Sequence, residues 1–216
     1  MIGSVAAGMM RTGSSRSKTA TQTVTPEATA QATASPEATP AGTPTVAAQR
    51  YSGPPAMTID TNKSYFAVIH TDKGDIRVEL FAQQAPQTVN NFVFLARDGF
   101  YNGLTFFWVK PDFVAQTGDP EETGSGGPGY TIPDENSGQP FQAGTLGMAK
   151  KGDEPNSAGS QFFMTLTDQP QLTGEDTSFG RVVEGMDVLL SLTPRDPPSA
   201  DLPPGDKVLS IDIEEK

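Results

Sequence analysis

The chain has 216 residues, room for one large domain or two small ones, yet only 35% of them are hydrophobic, which is low for a chain packed throughout. It has no cysteine, which excludes a disulfide framework and a thiolate metal site. The net charge of −11 is uneven: Arg11, Arg16, Lys18 and Arg50 against Glu27 and Glu37 give residues 1–50 a surplus of +2, leaving −13 for the rest, a poor match to nucleic-acid phosphates.

Residues 1–18 open on a mildly apolar stretch, Met1 to Met10, that is too short to span a bilayer. Its basic residues follow the apolar ones instead of preceding them, unlike an export signal. Two readings stand: a tail, or the remnant of a longer export or anchor segment. Residues 19–55 are rich in Thr, Pro and Ala, and Pro26-Glu27-Ala28-Thr29 is echoed by Pro36-Glu37-Ala38-Thr39. Such a stretch buries too little apolar area to offset its ordering entropy, so it is expected to be a disordered linker. Some 30 residues of coil span on the order of 30 Å. Two readings of it stand: a tether, which implies a membrane or envelope attachment and an extracytoplasmic setting with the cytoplasm left open, or a passive disordered tail.

Residues 56–216 are expected to form the folded domain. Tyr65 to Thr71 is β-branched and aromatic, Lys73-Gly74 marks a turn, and Asp75 to Leu80 alternates polar and apolar, which predicts a hairpin. Pro86 suits a first helical turn. Val89, Phe92, Val93 and Ala96 recur at helical spacing and Gly99 supplies the stop, predicting a helix over 86–98. Short strand-like runs follow at Leu104–Val109, Phe113–Gln116, Thr145–Ala149, Gln161–Thr167, Ser178–Val183 and Val208–Glu214, with a second short helix over Gly185–Leu192. A mainly β domain with two helices points to a closed barrel or a sandwich. Asp196 to Gly205 reads as a loop.

Several motifs carry no chemistry. Gly124-Ser125-Gly126-Gly127-Pro128-Gly129 lacks the Lys-Ser/Thr ending of a phosphate loop. His70 is the only histidine, so neither a nucleophilic triad nor a multi-histidine metal site can be assembled. Asp119, Glu121 and Glu122 lack calcium-loop spacing and read as a solvated acidic loop. No metal and no cofactor is expected.

Two stretches read together are more specific: Phe106 to Asp119, and Gly159-Ser160-Gln161-Phe162-Phe163. With them come Ala85-Pro86-Gln87-Thr88-Val89-Asn90-Asn91-Phe92, Phe100-Tyr101-Asn102-Gly103, Gly126 to Glu135, Gly147-Met148-Ala149, Phe179-Gly180-Arg181-Val182 and Glu184 to Val188. In this order and spacing the region from Tyr65 onward resembles the cyclophilins, the peptidyl-prolyl cis-trans isomerases. The resemblance implies a closed eight-stranded antiparallel β-barrel capped by two α-helices, acting as a monomer, with a groove for proline-containing segments of client proteins on its outer surface.

By that resemblance Phe113, Phe163 and Leu172 line a proline pocket, with Val114 where the family has a methionine. Gln116 binds peptide backbone, Gln161 supports the groove, and Ala149 and Lys150 flank the extended peptide. Without the resemblance, Phe113 and Phe163 read equally well as core. The chain also departs from the family. Trp108 stands where the family has its catalytic arginine, Asp176 where it has a pocket-rim histidine, Gln171 where it has an indole, Phe107 where histidine is frequent, and Lys150 where asparagine is common. An indole offers one neutral N–H against the several charged donors of a guanidinium. That exchange loses about 1–3 kcal/mol, or roughly 5- to 150-fold in turnover if the bond strengthens at the transition state. The implied function is a prolyl isomerase of reduced activity; the alternative is a proline-peptide-binding module or chaperone without appreciable catalysis.

Overall fold

A computed structural model describes residues 51–196 and 204–216. The stretch 1–18, the linker as far as residue 50 and part of the loop after Asp196 lie outside the described residues. Tyr51, inside the stretch read as linker, packs its ring against Phe94, Phe100 and Tyr130 at centroid distances of 5.3, 6.2 and 6.1 Å.

The elements are β1 (Tyr65–Thr71), β2 (Gly74–Leu80), α1 (Pro86–Arg97), β3 (Trp108–Lys110), β4 (Val114–Thr117), β5 (Thr145–Met148), β6 (Phe162–Thr165), a 3-10 turn (Pro170–Leu172), β7 (Ser178–Glu184), α2 (Met186–Leu190) and β8 (Val208–Glu215). The hairpin forms as its pattern predicts, with Tyr65 opposite Leu80 and Thr71 opposite Gly74. Tyr65, Ala67 and Ile69 face inward opposite Leu80, Val78 and Ile76, while the residues between them are more exposed. That is the period-two signature of a strand with one buried face.

Helix α1 starts at Pro86, and its N-cap residue Ala85 offers no side-chain acceptor. The Glu135 carboxylate takes that role from a distant loop, accepting from the backbone N–H of Gln87 (3.1 Å) and Thr88 (2.8 Å) and from the Thr88 hydroxyl (2.7 Å). A negative charge suits the positive end of the helix dipole. At the other end Gly99 sits at φ +70°, Gly99 N–H donates to Ala96 and Phe100 N–H to Leu95, a left-handed close that glycine permits. Val89, Phe92, Val93 and Ala96 are buried, and the Phe92 ring meets Phe162 edge to face at 5.3 Å.

The eight antiparallel strands form one curled sheet in the order β3-β4-β6-β5-β7-β2-β1-β8, a half-barrel with two helices. The closed barrel expected from sequence is corrected here, because among the described residues no ladder joins β3 to β8. Strand β3 has three residues, and its outer edge is taken by Arg195, which exchanges both backbone bonds with Val109 at 2.7 and 2.8 Å. The start of β8 bonds instead to the segment before β3, through Gly103 to Val208, Val208 to Leu104 and Phe106 to Asp206. The short β3 begins at Trp108, four residues later than its apolar run, because residues 103–106 serve this crossing and not a strand. No helix among the described residues is long and apolar enough to cross a membrane.

Strand β6 divides the apolar residues into two groups. Phe162 and Met164 enter the main core under the sheet, whereas Phe163 belongs to a separate cluster with Val114 and Phe141. Phe162 is fully buried and touches the rings of Phe92, Tyr101 and Phe179. Phe162→Ala should therefore lower the unfolding free energy by about 3–5 kcal/mol in a chemical denaturation experiment. A loss below about 1 kcal/mol would contradict its place at the centre of the core.

Candidate active site

The second cluster is built by register. Phe163 lies opposite Gln116 on β4 and opposite Gly147 on β5. Val114 and Gln116 share one face of β4, and Ala115, between them, points into the main core. Trp108, Phe113, Ala149 and Leu172 pack around Val114, Phe141 and Phe163. Phe141 stacks on Phe163 at 5.7 Å with 22° between the planes, and Trp108 meets Phe113 edge on at 5.9 Å. Phe113 is carried by a tight turn in which Asp112 adopts φ +61°. The Asp112 carbonyl accepts from Thr167 Oγ1 (2.7 Å) and Gln169 Nε2 (2.9 Å), which pins that turn to the segment after β6.

Gly147 makes this packing physically feasible. A Cβ there would overlap Phe163 Cζ and come within 2.6 Å of Phe141 Cε1. The ring of Phe163 thus crosses β5 where β5 has no side chain.

The polar part adjoins the rings. Gln116 Nε2 donates to Gln161 Oε1 at 2.8 Å, and Gln161 Nε2 donates to the Gly126 carbonyl at 2.8 Å. Both amides are largely buried, so this relay fixes their orientation. The loop that supplies Gly126 is organised by Asp119, which corrects the reading of Asp119 as part of a solvated loop. Asp119 is fully buried, and its carboxylate accepts from the backbone N–H of Glu121, Thr123, Gly124 and Gly126. Four donors satisfy a buried charge that would otherwise be costly. A Cβ on Gly126 would overlap Asp119 Oδ1, so that position needs glycine. Glu121 and Glu122 are exposed, as read.

Lys150 Nζ donates to the Glu175 carbonyl at 2.6 Å and lies 3.7 Å from Asp176. Burial pushes the Asp176 carboxyl above its ordinary range, and Lys150 opposes that shift. Ala149, Lys150, Gln161 and the glycine loop line a cleft of about 570 Å³. At the edge of the ring cluster, Trp108 Nε1–H donates to Asp196 Oδ1 at 2.9 Å. A smaller cleft of about 220 Å³ opens there, lined by Phe107, Trp108, Thr123 and Asp196.

Trp108, Phe113, Val114, Ala149, Phe163 and Leu172 are thus together, Gln116 and Gln161 are bonded to each other beside them, and Lys150 and Asp176 pair nearby. Gln171 is exposed and bonds only Gln169. Sequence reasoning missed Phe141, Gly147 as the seat of the ring, and Asp196. Phe141 follows Gly138-Gln139-Pro140 in a loop without periodicity, and Asp196 reaches Trp108 across 88 positions. No local pattern signals either. Among the described residues no group of three or more His, Cys, Asp or Glu side chains is placed to hold a metal ion.

The site is an aromatic and aliphatic cluster set apart from the main core of an antiparallel half-barrel, edged by two amides that bond each other. The family model for "Cyclophilin type peptidyl-prolyl cis-trans isomerase/CLD" matches residues 66–210, and the chain belongs to that family. A peptidyl-prolyl cis-trans isomerase of Synechococcus elongatus is 46% identical over 149 residues, 68% of this chain and 94% of its own length. Peptidyl-prolyl cis-trans isomerase B of Bacillus subtilis is 49% identical over 118 residues, 54% of this chain and 81% of its own. Among solved structures, a Cryptosporidium parvum cyclophilin type peptidyl-prolyl cis-trans isomerase superposes with a TM-score of 0.64 at 34% identity, covering 70% of this chain and 98% of that one. The same enzyme solved in the presence of the dipeptide Ala-Pro gives 0.62 at 33% identity, covering 69% and 98%.

Two outcomes follow from this geometry. Gly147→Ala should displace both rings, cost about 1–3 kcal/mol of stability and shift the ring resonances of Phe141 and Phe163 in NMR spectra; unchanged ring shifts would contradict the close approach. Asp176 tests the electrostatics. Burial favours its protonated form, so the folded chain holds that proton to higher pH than the unfolded chain does, and the parent carries a stability penalty once the pH has risen through the carboxyl's range. Asp176→Asn removes the penalty while Lys150 keeps the Glu175 carbonyl. Its Tm should exceed the parent's at neutral pH and converge on it as the pH falls through the carboxylate range to about 3. A lower Tm at neutral pH would mean that the attraction of Lys150 outweighs burial.

Proposed function

We propose that this chain catalyses cis-trans exchange at Xaa-Pro bonds of client polypeptides, more slowly than relatives that carry an arginine at the position of Trp108. The observation that carries this reading is the outward cluster of Phe163, Phe113, Val114 and Leu172, distinct from the core and beside the Gln116–Gln161 pair.

The reaction needs no nucleophile. An Xaa-Pro bond exchanges slowly because its C–N bond has partial double-bond character, with a barrier of about 18–20 kcal/mol. An apolar pocket that holds the proline ring fixes one side of that bond. Gln116 has given its Nε2–H to Gln161, so its Oε1 is left to accept a peptide N–H and hold the other side. A site that binds the twisted amide better than the planar one lowers the barrier. A guanidinium would add a charged donor to the prolyl nitrogen, which becomes pyramidal as the bond twists. Trp108 has one N–H, and Asp196 already accepts it.

That last observation favours a second reading, in which the groove binds proline segments as a chaperone or scaffold does, with little turnover. Trp108→Arg separates the two. With Xaa-Pro peptides it should raise kcat/KM by about 5-fold or more, while Phe113→Ala should weaken binding. No turnover in the parent would sink the catalytic reading, and no gain from Trp108→Arg together with no harm from Phe113→Ala would sink this placement of the groove. We also propose that Phe163 and its neighbours work within a monomer, and that the N-terminal linker tethers it at an envelope outside the cytoplasm. The low-complexity composition of residues 19–55 supports the tether.

A further inference from the structure

We propose that the cleft on the far side of Trp108 takes the cationic side chain, lysine or arginine, of a client residue close to the bound proline. This rests on the reading of the neighbouring groove as the proline site. Trp108 is the shared wall: it meets Phe113 on the groove side and lines the small cleft with Phe107, Thr123 and Asp196 on the other. A bound chain that crosses Trp108 would bring its next side chains to that cleft, because Trp108 touches both Phe113 and the cleft.

The lining selects for positive charge. Trp108 is the aromatic side chain of the lining that is not buried, and an indole face is the best of the side-chain surfaces for a cation. Asp196 supplies the counter-charge. Its Oδ1 is held by the indole N–H at 2.9 Å, which orients the carboxylate against the ring, and its side chain is exposed to solvent at the cleft. Arg195, the adjacent cation, is directed elsewhere: its Nε donates to the Phe107 carbonyl at 3.2 Å and its guanidinium lies 3.3 Å from Glu122. Where the family places a guanidinium on this rim, this chain has an indole and a carboxylate, so the rim attracts what an arginine would repel. The net charge of −13 over residues 51–216 adds the same sign at long range. A cation–π contact and an exposed ion pair together favour lysine over an uncharged side chain of similar length by roughly 3- to 10-fold.

The test uses the full-length chain and a set of short Ala-Pro peptides carrying one lysine, or one norleucine, at each of the two positions on either side of proline. Dissociation constants are measured at low and at high salt. At one position lysine should bind roughly 3- to 10-fold more tightly than norleucine, with the preference shrinking at high salt. Asp196→Asn, whose side-chain oxygen can still accept from the indole, should reduce that preference and remove most of its salt dependence, leaving the ring contact. Norleucine peptides that bind while no position prefers lysine would overturn this inference and leave the groove standing. A lysine preference unchanged by Asp196→Asn, in size and in salt dependence, would assign it to the overall charge and also overturn it. If no peptide binds, the groove assignment falls and this inference falls with it.

Discussion

The pocket depends on the absence of a side chain at Gly147. Strand β6 is sandwiched between β4 and β5, so Phe163 must lie over one of them. It lies over β5, with Phe141 stacked alongside, and a single methyl group at 147 would collide with both rings. From that close approach the rest follows. Val114 sits beneath the rings on β4, while Phe113, Leu172 and Ala149 close the sides. The neighbouring residues of β6, Phe162 and Met164, point the other way into the main core with Phe92 and Phe179. Four residues of one strand thus supply the main core on one face and the separate ring cluster on the other.

Much of this is written locally in the chain. The hairpin of β1 and β2 follows from its alternation, α1 from Pro86, its apolar spacing and Gly99, and the two-faced character of β6 from the adjacent rings of Phe162 and Phe163. Which ring faces outward is not a local property. It is set by pairing with Gln116 and Gly147, each contributed by another strand. The same limit explains the other differences. Asp119 looked solvated because its four donors are backbone groups, which leave no trace in residue types. Phe141 and Asp196 reach the site from irregular segments. Barrel closure failed because Arg195 occupies the edge that β3 would have offered to β8.

In the function proposed above, the electrostatic character of the site is the chain's main departure from its family. The ring pocket and the amide pair that would grip a proline segment are present, whereas the position of the charged donor holds Trp108, with its N–H committed to Asp196. Binding and turnover are therefore separable here. Apolar burial and peptide hydrogen bonds support the first, and the second relies on geometry without a cation to stabilise the pyramidal nitrogen. On that proposal the same exchange also turns the rim from positive to negative in an already acidic domain.

Two-dimensional exchange NMR on an Ala-Pro peptide mixed with a small molar fraction of the full-length chain addresses the central claim most directly. The account predicts cis-to-trans cross-peaks that grow well above those of the free peptide, with the protein's shifts confined to Phe113, Gln116, Phe163 and their neighbours. Shifts at those residues with an exchange rate no faster than that of the free peptide would contradict it, and would leave a groove that binds proline without isomerising it.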